Sequence, residues 1–308
     1  TPLGALPARF RRERILIVGC GDVGLRYARV QQPAQRGRLM ALTSTPARCA
    51  ALREVGLQPL VGNLDAPQTL RRLAGLATRV LHLAPPPLSG SHDPRTRALL
   101  RALGARTPIR SLVYASTSGV YGDCQGEWVD ESRPVAPQSP RAHRRVDAEA
   151  CVAWFARQRG TRVSVLRVPG IYAADREAGT PYERIARGSP VLQAQDDVFT
   201  NHIHADDLAR ACLMALWRGR MRRTYHVSDD SMLKMGDYYE AAAKLYGLPL
   251  PPRVSFEEAR AQLSPMQMSF MAESRRLRNQ RMKRELRLQL RFSNVLDGLR
   301  AGLQPRLF

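Results

Sequence analysis

Lysine is nearly missing from this chain: of its 48 basic residues, all but Lys234, Lys244 and Lys283 are arginine. Together with abundant Ala, Leu, Pro and Gly, that bias reads as the imprint of a GC-rich genome rather than as a dedicated polyanion surface. The formal charge of +21 still attracts polyanions non-specifically, and would draw in a phosphate-bearing substrate. No helix-turn-helix, zinc-finger or RNP pattern accompanies the charge, so no specific nucleic-acid partner is expected. Cysteine is sparse. Cys20, Cys49, Cys124, Cys151 and Cys212 are scattered without metal-ligand spacing, which argues against a zinc site or a disulfide framework and fits reduced thiols in a cytosol. Long apolar runs are absent too: none approaches the roughly 18 residues of a membrane span. Thr1–Pro7, followed by Arg9, Arg11 and Arg12, does not read as a signal peptide. The expectation is a cytoplasmic protein with no membrane partner.

Among 308 residues, 44% are hydrophobic, enough for a sizeable core. Short apolar runs alternate with helical patterns, as in a doubly wound parallel α/β sheet of the Rossmann type. Strands are expected at Arg14–Val18, Arg38–Thr43, Gln58–Val61, Arg79–Ala84, Ser111–Ser116 and Val163–Arg167. Helices are expected at Val23–Gln32, Pro46–Val55, from about Asp65 (a candidate cap) through Leu76, at Arg95–Leu103 and at Pro140–Arg157. Gly119–Ser139 reads as a long, site-bearing loop. The organisation expected is a dinucleotide-binding core over 13–170, then a mixed segment over 171–308 that returns to the core and forms a small C-terminal lobe. In that second part Asp206 and Asp207 are expected to cap a helix to Trp217, Thr224–Val227 to add a strand, and Arg275–Arg291 to form a helix with one buried face.

Gly19-Cys20-Gly21-Asp22-Val23-Gly24 fits G-x-G-x-x-G, directly after an apolar strand and at the opening of a helix. Gly19 would allow the tight turn, Gly21 a close approach of the backbone to a pyrophosphate, and Gly24 close helix–strand packing. The helix N-terminus offers free N–H groups and a favourable dipole. At the end of the second strand, Thr43-Ser44-Thr45-Pro46-Ala47-Arg48 carries no carboxylate until Glu54. A carboxylate there would hold the ribose 2′-hydroxyl of NAD; hydroxyls and Arg48 instead suit a 2′-phosphate. NADP is therefore the expected cofactor, with NAD the alternative.

Further segments extend the pattern: Asn63-Leu64-Asp65, Leu81-His82-Leu83-Ala84, Ser116-Thr117-Ser118-Gly119-Val120-Tyr121-Gly122, Arg167-Val168-Pro169-Gly170-Ile171-Tyr172 and Asn201–Ala209. In order and spacing the chain resembles the extended short-chain dehydrogenases/reductases, the NAD-dependent epimerase/dehydratase group, as an atypical member. The resemblance implies that Leu64 and Asp65 lie near the adenine. It places Leu83, Ala84 and Ser116 against the cofactor, and Val168, Gly170 and Ile171 along the nicotinamide. It puts the active-site hydroxyl on Thr117. The family's Tyr-x-x-x-Lys pair is missing: Arg141 and Arg145 stand at those positions, one turn apart on one helix face. Arg145 could still hydrogen-bond the nicotinamide ribose. Arg141 cannot act as an acid and base, because a guanidinium does not deprotonate.

Several residues have two readings. Tyr121 could supply the missing proton, or serve packing and substrate contact. His143 lies about 200° around the helix from Arg141 and is expected to be exposed. His82 reads as a hydrogen-bonded core histidine, and no carboxylate or cysteine set joins His202 and His204 to bind a metal. Asp123, Glu127, Asp130 and Glu131 read as a solvated rim, with a general acid among them as the lesser alternative. Two functions from different classes follow. One is an NADP-dependent oxidoreductase or epimerase-like enzyme for a small, phosphorylated or nucleotide-linked substrate, with Thr117, Tyr121, Arg141 and Arg145 as catalytic candidates. The other is a catalytically inactive dinucleotide-binding sensor. The resemblance also implies pairing into a homodimer.

Overall fold

The computed structural model describes residues 13–31, 37–104 and 109–303. Seven strands form one parallel sheet: β1 (Arg14–Val18), β2 (Arg38–Thr43), β3 (Gln58–Val61), β4 (Arg79–His82), β5 (Ser111–Thr117), β6 (Arg162–Val168) and β7 (Arg223–His226). Their order across the sheet is β7-β6-β5-β4-β1-β2-β3. The order reverses between β1 and β4, and that switch point opens a crevice at the strands' carboxyl ends.

Burial on both faces explains why these strands read as unbroken apolar runs. Along β1, Ile15 and Ile17 enter one core, and Leu16 and Val18 the other. Helices α1 (Asp22–Gln31) and α5 (Ala205–Arg218) cover the first face through Tyr27, Ala28, Leu208 and Cys212. On the opposite face, α3 (Pro94–Leu103) and α4 (Pro140–Arg159) contribute Leu99, Leu103, Val152 and Phe155; α2 (Cys49–Glu54) is a short helix after β2. The end of the sequence-predicted first helix, Gln32, lies outside the described residues.

The ends of α4 set the site. Ser139 caps it by accepting from the Ala142 N–H, Pro140 occupies its first turn, and Gly160 ends it in the left-handed region at φ 62°. Arg141 and Arg145 are thereby fixed one turn apart at the carboxyl edge of β5. A further apolar cluster joins Tyr172, Ile185, Val191, Tyr238, Tyr239, Val295 and Leu299, with α6 (Met235–Tyr246) and α8 (Val295–Leu303) as its main helices; α7 (Pro265–Met271) packs beside it.

Three expectations need correction. The segment Pro67–Leu73 is a 3₁₀ helix that Asp65 does not cap, because the Asp65 carboxylate is engaged by Arg95 at 2.6 and 2.7 Å. At the start of α5 the cap is the His204 ring, which accepts from the Asp206 N–H; Asp207 turns inward to accept from the N–H groups of Arg291 and Phe292. Arg275–Arg291 is not one helix. Arg276–Leu277 pair in parallel with Trp128–Val129, and only Met282–Leu286 form a helical turn. Its leucines have helical spacing, but its backbone bonds reach the 124–129 loop instead.

Candidate functional site

At the switch point the three glycines differ. Gly19 has φ +83°, and a Cβ there would lie 2.4 Å from the backbone nitrogen of Ala84. Ala84 donates to the Val18 carbonyl at 3.0 Å, which draws the end of β4 against the loop. A Cβ on Gly24 would touch the Cys20 sulfur at 3.2 Å and Ile17 Cγ2 at 3.3 Å, so α1 sits closely on β1 at this position. Gly21 is the exception: no atom lies within 4 Å of its Cβ position. Neither backbone conformation nor packing demands glycine there. Open space above the first turn of α1, where N–H groups lack intrahelical partners, is a cradle that a pyrophosphate fits.

Around that cradle, the Asp22 carboxylate turns aside to Arg26 (3.0 Å) and Arg176 (2.9 Å). Arg26, almost fully buried, also binds Asp175 and Asp206. Arg48 extends from α2's approach and donates to the Cys20 carbonyl at 2.8 Å. Burial pushes the Cys20 thiol up to about 11, with Arg48 pulling the other way. The Thr43 hydroxyl is used locally, against the backbone of Thr45, whereas Ser44 and Thr45 are exposed. Leu64 and Leu83 are half-buried, and Ser116 is buried with its hydroxyl donating to Glu149 at 2.5 Å.

A cavity of about 440 Å³ is joined to the loop through Arg176, which lines it and pairs with Asp22. Thr117, Arg141, Arg145, Gly170 and Ile171 line it, so the structure brings these predicted residues together. Thr117 accepts the Gly119 N–H at 3.2 Å, which leaves its O–H free to donate. Arg145 places one nitrogen on the Ala115 carbonyl (2.7 Å) and the Tyr114 hydroxyl (3.2 Å). Arg141 lies over the Phe270 ring at 4.7 Å, with no carboxylate within ion-pairing distance among the described residues. Val168 is buried at the end of β6.

Tyr121 is not brought to this cavity. It is 1% exposed, and its hydroxyl accepts from Arg167 Nη1 at 2.6 Å and meets His226 Nε2 at 2.6 Å. His226 Nδ1 faces the Arg278 carbonyl, so that nitrogen carries the proton and Nε2 accepts from Tyr121. Arg167 continues to Glu149 at 2.7 Å, completing a buried polar chain behind β5. Glu131 is buried too and accepts the His226 N–H, so it does not belong to a solvated rim; Glu127 and Asp130 face outward. His82 is a core residue: Thr96 donates to Asp93, and His82 Nε2 therefore donates to Thr96. Burial, then Arg145, pushes its pKa down to about 3. His143 is exposed, and His202 and His204 are buried. Among the described residues no cluster of His, Cys, Asp and Glu could hold a metal ion.

The rest of the cavity wall comes from the C-terminal half and was not foreseen: Arg176, Arg184, Tyr238, Phe270, Glu273 and Arg275. Two nitrogens of Arg184 are buried there without a hydrogen-bond partner, its guanidinium stacked 4.9 Å from Tyr239. Glu273 carries the wall's carboxylate. Burial raises its pKa against the opposing pull of Arg275 and Arg141.

Residues 94–228 match the model of the NAD dependent epimerase/dehydratase family. Over those residues the chain is similar to that family. A structure of a functionally unknown conserved protein from Silicibacter pomeroyi is similar over 94% of this chain and 97% of that one, with 29% identity and a TM-score of 0.77. A dTDP-glucose 4,6-dehydratase of Streptomyces venezuelae, solved with NAD bound, gives a TM-score of 0.74 at 20% identity over 94% and 95% of the two chains. Protein YeeZ of Escherichia coli (strain K12) is 25% identical over 150 residues, 49% of this chain and 50% of YeeZ. The match to YeeZ thus spans about half the length of each protein. No helix among the described residues is long and apolar enough to cross a membrane.

Proposed function

We propose that this protein is an NADP-dependent oxidoreductase or epimerase-like enzyme for a small anionic substrate, phosphorylated or nucleotide-linked. The observation that carries the reading is the cavity where Thr117, Arg141 and Arg145 converge, joined through Arg176 to Asp22 of the glycine loop with its open space at Gly21. A nicotinamide dinucleotide would supply hydride exchange with a substrate carbon. The chain's own part is binding and polarisation. First-turn N–H groups of α1 hold the pyrophosphate, and Arg145 keeps guanidinium N–H groups beyond its bond to Ala115 for the ribose. Thr117 donates its free O–H to the substrate oxygen, which stabilises charge developing there. Arg141, exposed in the cavity wall and without an ion pair among the described residues, is suited to bind a substrate anion, and the Arg184 guanidinium adds positive charge to the same wall.

Exposed Ser44 and Thr45, with Arg48 alongside, favour the 2′-phosphate of NADP over the bare ribose of NAD. Sugar nucleotides are the natural first panel, since the Streptomyces dehydratase acts on dTDP-glucose. The test follows nicotinamide absorbance with UDP-glucose, dTDP-glucose and their uronic acids. Thr117→Ala should slow the active pair by about 10²–10³-fold, the usual loss of one oxyanion donor. Turnover untouched by Thr117→Ala and Arg145→Met would refute the assignment.

A further inference from the structure

With arginine where a tyrosine would exchange the proton, the cavity needs another acid–base group, and its wall offers one. Glu273 follows α7 and is 13% exposed. The segment after it is tied down. Ser274 receives the N–H groups of Cys124 and Gly126 on its carbonyl (3.0 and 3.1 Å), and its own N–H donates to Asp123 at 2.8 Å. Arg275 donates to the Gly122 carbonyl and to Glu273 Oε2, both at 2.6 Å. This strap carries Glu273 over the turn that follows Thr117. The Cβ position of Gly119 lies 3.8 Å from Glu273 Oε2 and 3.6 Å from Thr117 Oγ1, so the two oxygens flank one point of the wall. With Oε2 held by Arg275, Oε1 remains for a substrate hydroxyl.

The geometry points to Glu273 as the group that takes and returns the substrate proton in this cavity. The inference rests on the nicotinamide-dependent reading above. In the oxidative direction the substrate O–H gives its proton to the Glu273 carboxylate. A bound oxidised nicotinamide dinucleotide would accept the C–H electron pair as hydride while the C=O bond forms. Reduction runs the same transfers backwards, with Glu273 as the acid. The charged groups around it are Arg141 and Arg145 on α4, Asp123 on the loop after β5, Arg275 on its own segment, and Arg176 and Arg184 across the cavity. His202, also in the wall, stays neutral because burial pushes it down to about 4.

The test compares wild type, Glu273→Gln and Glu273→Asp, each checked for native circular dichroism. NADP is titrated by calorimetry at several pH values from about 4.5 to 7 in two buffers of different ionisation enthalpy, which reports protons released on binding. The cationic nicotinamide should drive a proton off Glu273 in wild type and in Glu273→Asp; the 2′-phosphate releases protons in every variant, so release should be smaller in Glu273→Gln by the share Glu273 supplied. On the substrate panel, Glu273→Gln should lose turnover by about 10²–10⁴-fold, with the acid limb of the oxidation profile gone. Equal proton release in wild type and Glu273→Gln, or full turnover in Glu273→Gln, overturns the inference while leaving the cofactor reading intact. No NADP binding by wild type overturns the cofactor reading itself, and this inference with it.

Discussion

Gly19, Gly21 and Gly24 stand within six residues of one another, yet substituting them should fail in three different ways. Alanine at Gly19 would sit at φ +83°, with its Cβ 2.4 Å from Ala84 nitrogen and 2.5 Å from Ala84 Cα. Left-handed backbone costs about 1–2 kcal/mol for a residue with a Cβ, and overpacking against backbone adds about 1–3 kcal/mol. Gly19→Ala should thus lose about 2–5 kcal/mol of stability. At Gly24, helix propensity gains about 1 kcal/mol, against contacts of 3.2 and 3.3 Å that need only small shifts of Cys20 and Ile17. Near-neutrality or a loss of about 1–2 kcal/mol follows. Valine at Gly21 meets nothing within 4 Å of its Cβ, so stability should change by less than about 0.5 kcal/mol. NADPH binding should nevertheless drop at least about tenfold, equivalent to about 1.4 kcal/mol, because the added methyls fill the cradle. Urea unfolding and calorimetric titration of the three variants separate these outcomes. If Gly21→Val destabilises as much as Gly19→Ala, or binds NADPH like wild type, the assignment of that space to a pyrophosphate is wrong.

Arg48→Glu should weaken NADPH relative to NADH by more than about tenfold, read by paired titrations; an unchanged ratio would remove Arg48 from cofactor selection. Tyr121→Phe strips a donor from His226 and an acceptor from Arg167, so it should cost about 1–3 kcal/mol in urea unfolding with little effect on dinucleotide affinity. A large loss of affinity at full stability would reinstate Tyr121 as a cofactor-facing group. Burial pushes His82 and His226 down to about 3 and His202 to about 4. Below about pH 6.5 the unfolded chain protonates these rings and the folded one does not. Stability should therefore fall on acidification toward pH 4, by at most about 1.4 kcal/mol per pH unit for each ring. Asp229, pushed up to about 7 by burial, opposes this across the range, and Glu131, Asp197 and Glu273, also raised by burial, add to the opposition toward its acid end; His204, pushed down by burial, joins the other histidines, which dominate between pH 7 and 5. A urea midpoint at pH 5 equal to or above that at pH 7 would contradict this balance.

The central sheet was legible because parallel strands buried on both faces leave unbroken apolar runs such as Arg14–Val18, and because Ser139, Pro140 and Gly160 punctuate α4 in the expected way. The glycine loop was legible because the G-x-G-x-x-G spacing falls directly between an apolar strand and a helix, although only Gly19 and Gly24 meet close neighbours there. Half of the cavity was not. Arg184, Tyr238, Phe270, Glu273 and Arg275 meet Thr117 only through long-range packing, and no local spacing marks Glu273. Arg275–Arg291 misled because its charged and apolar residues recur at helical intervals, while Arg275 is spent on the Gly122 carbonyl and Arg276–Leu277 on a strand pair. Glu131 misled for a related reason: a carboxylate in a Gly/Pro-rich loop is expected at the surface, but the His226 N–H gives it a buried partner, as His226 and Arg167 do for the Tyr121 hydroxyl.

The most direct test of the account is calorimetric titration of the wild-type protein with NADPH, NADP, NADH and NAD. The account predicts micromolar binding of the nicotinamide dinucleotides, tighter for the 2′-phosphorylated pair. Failure of all four to bind would contradict it.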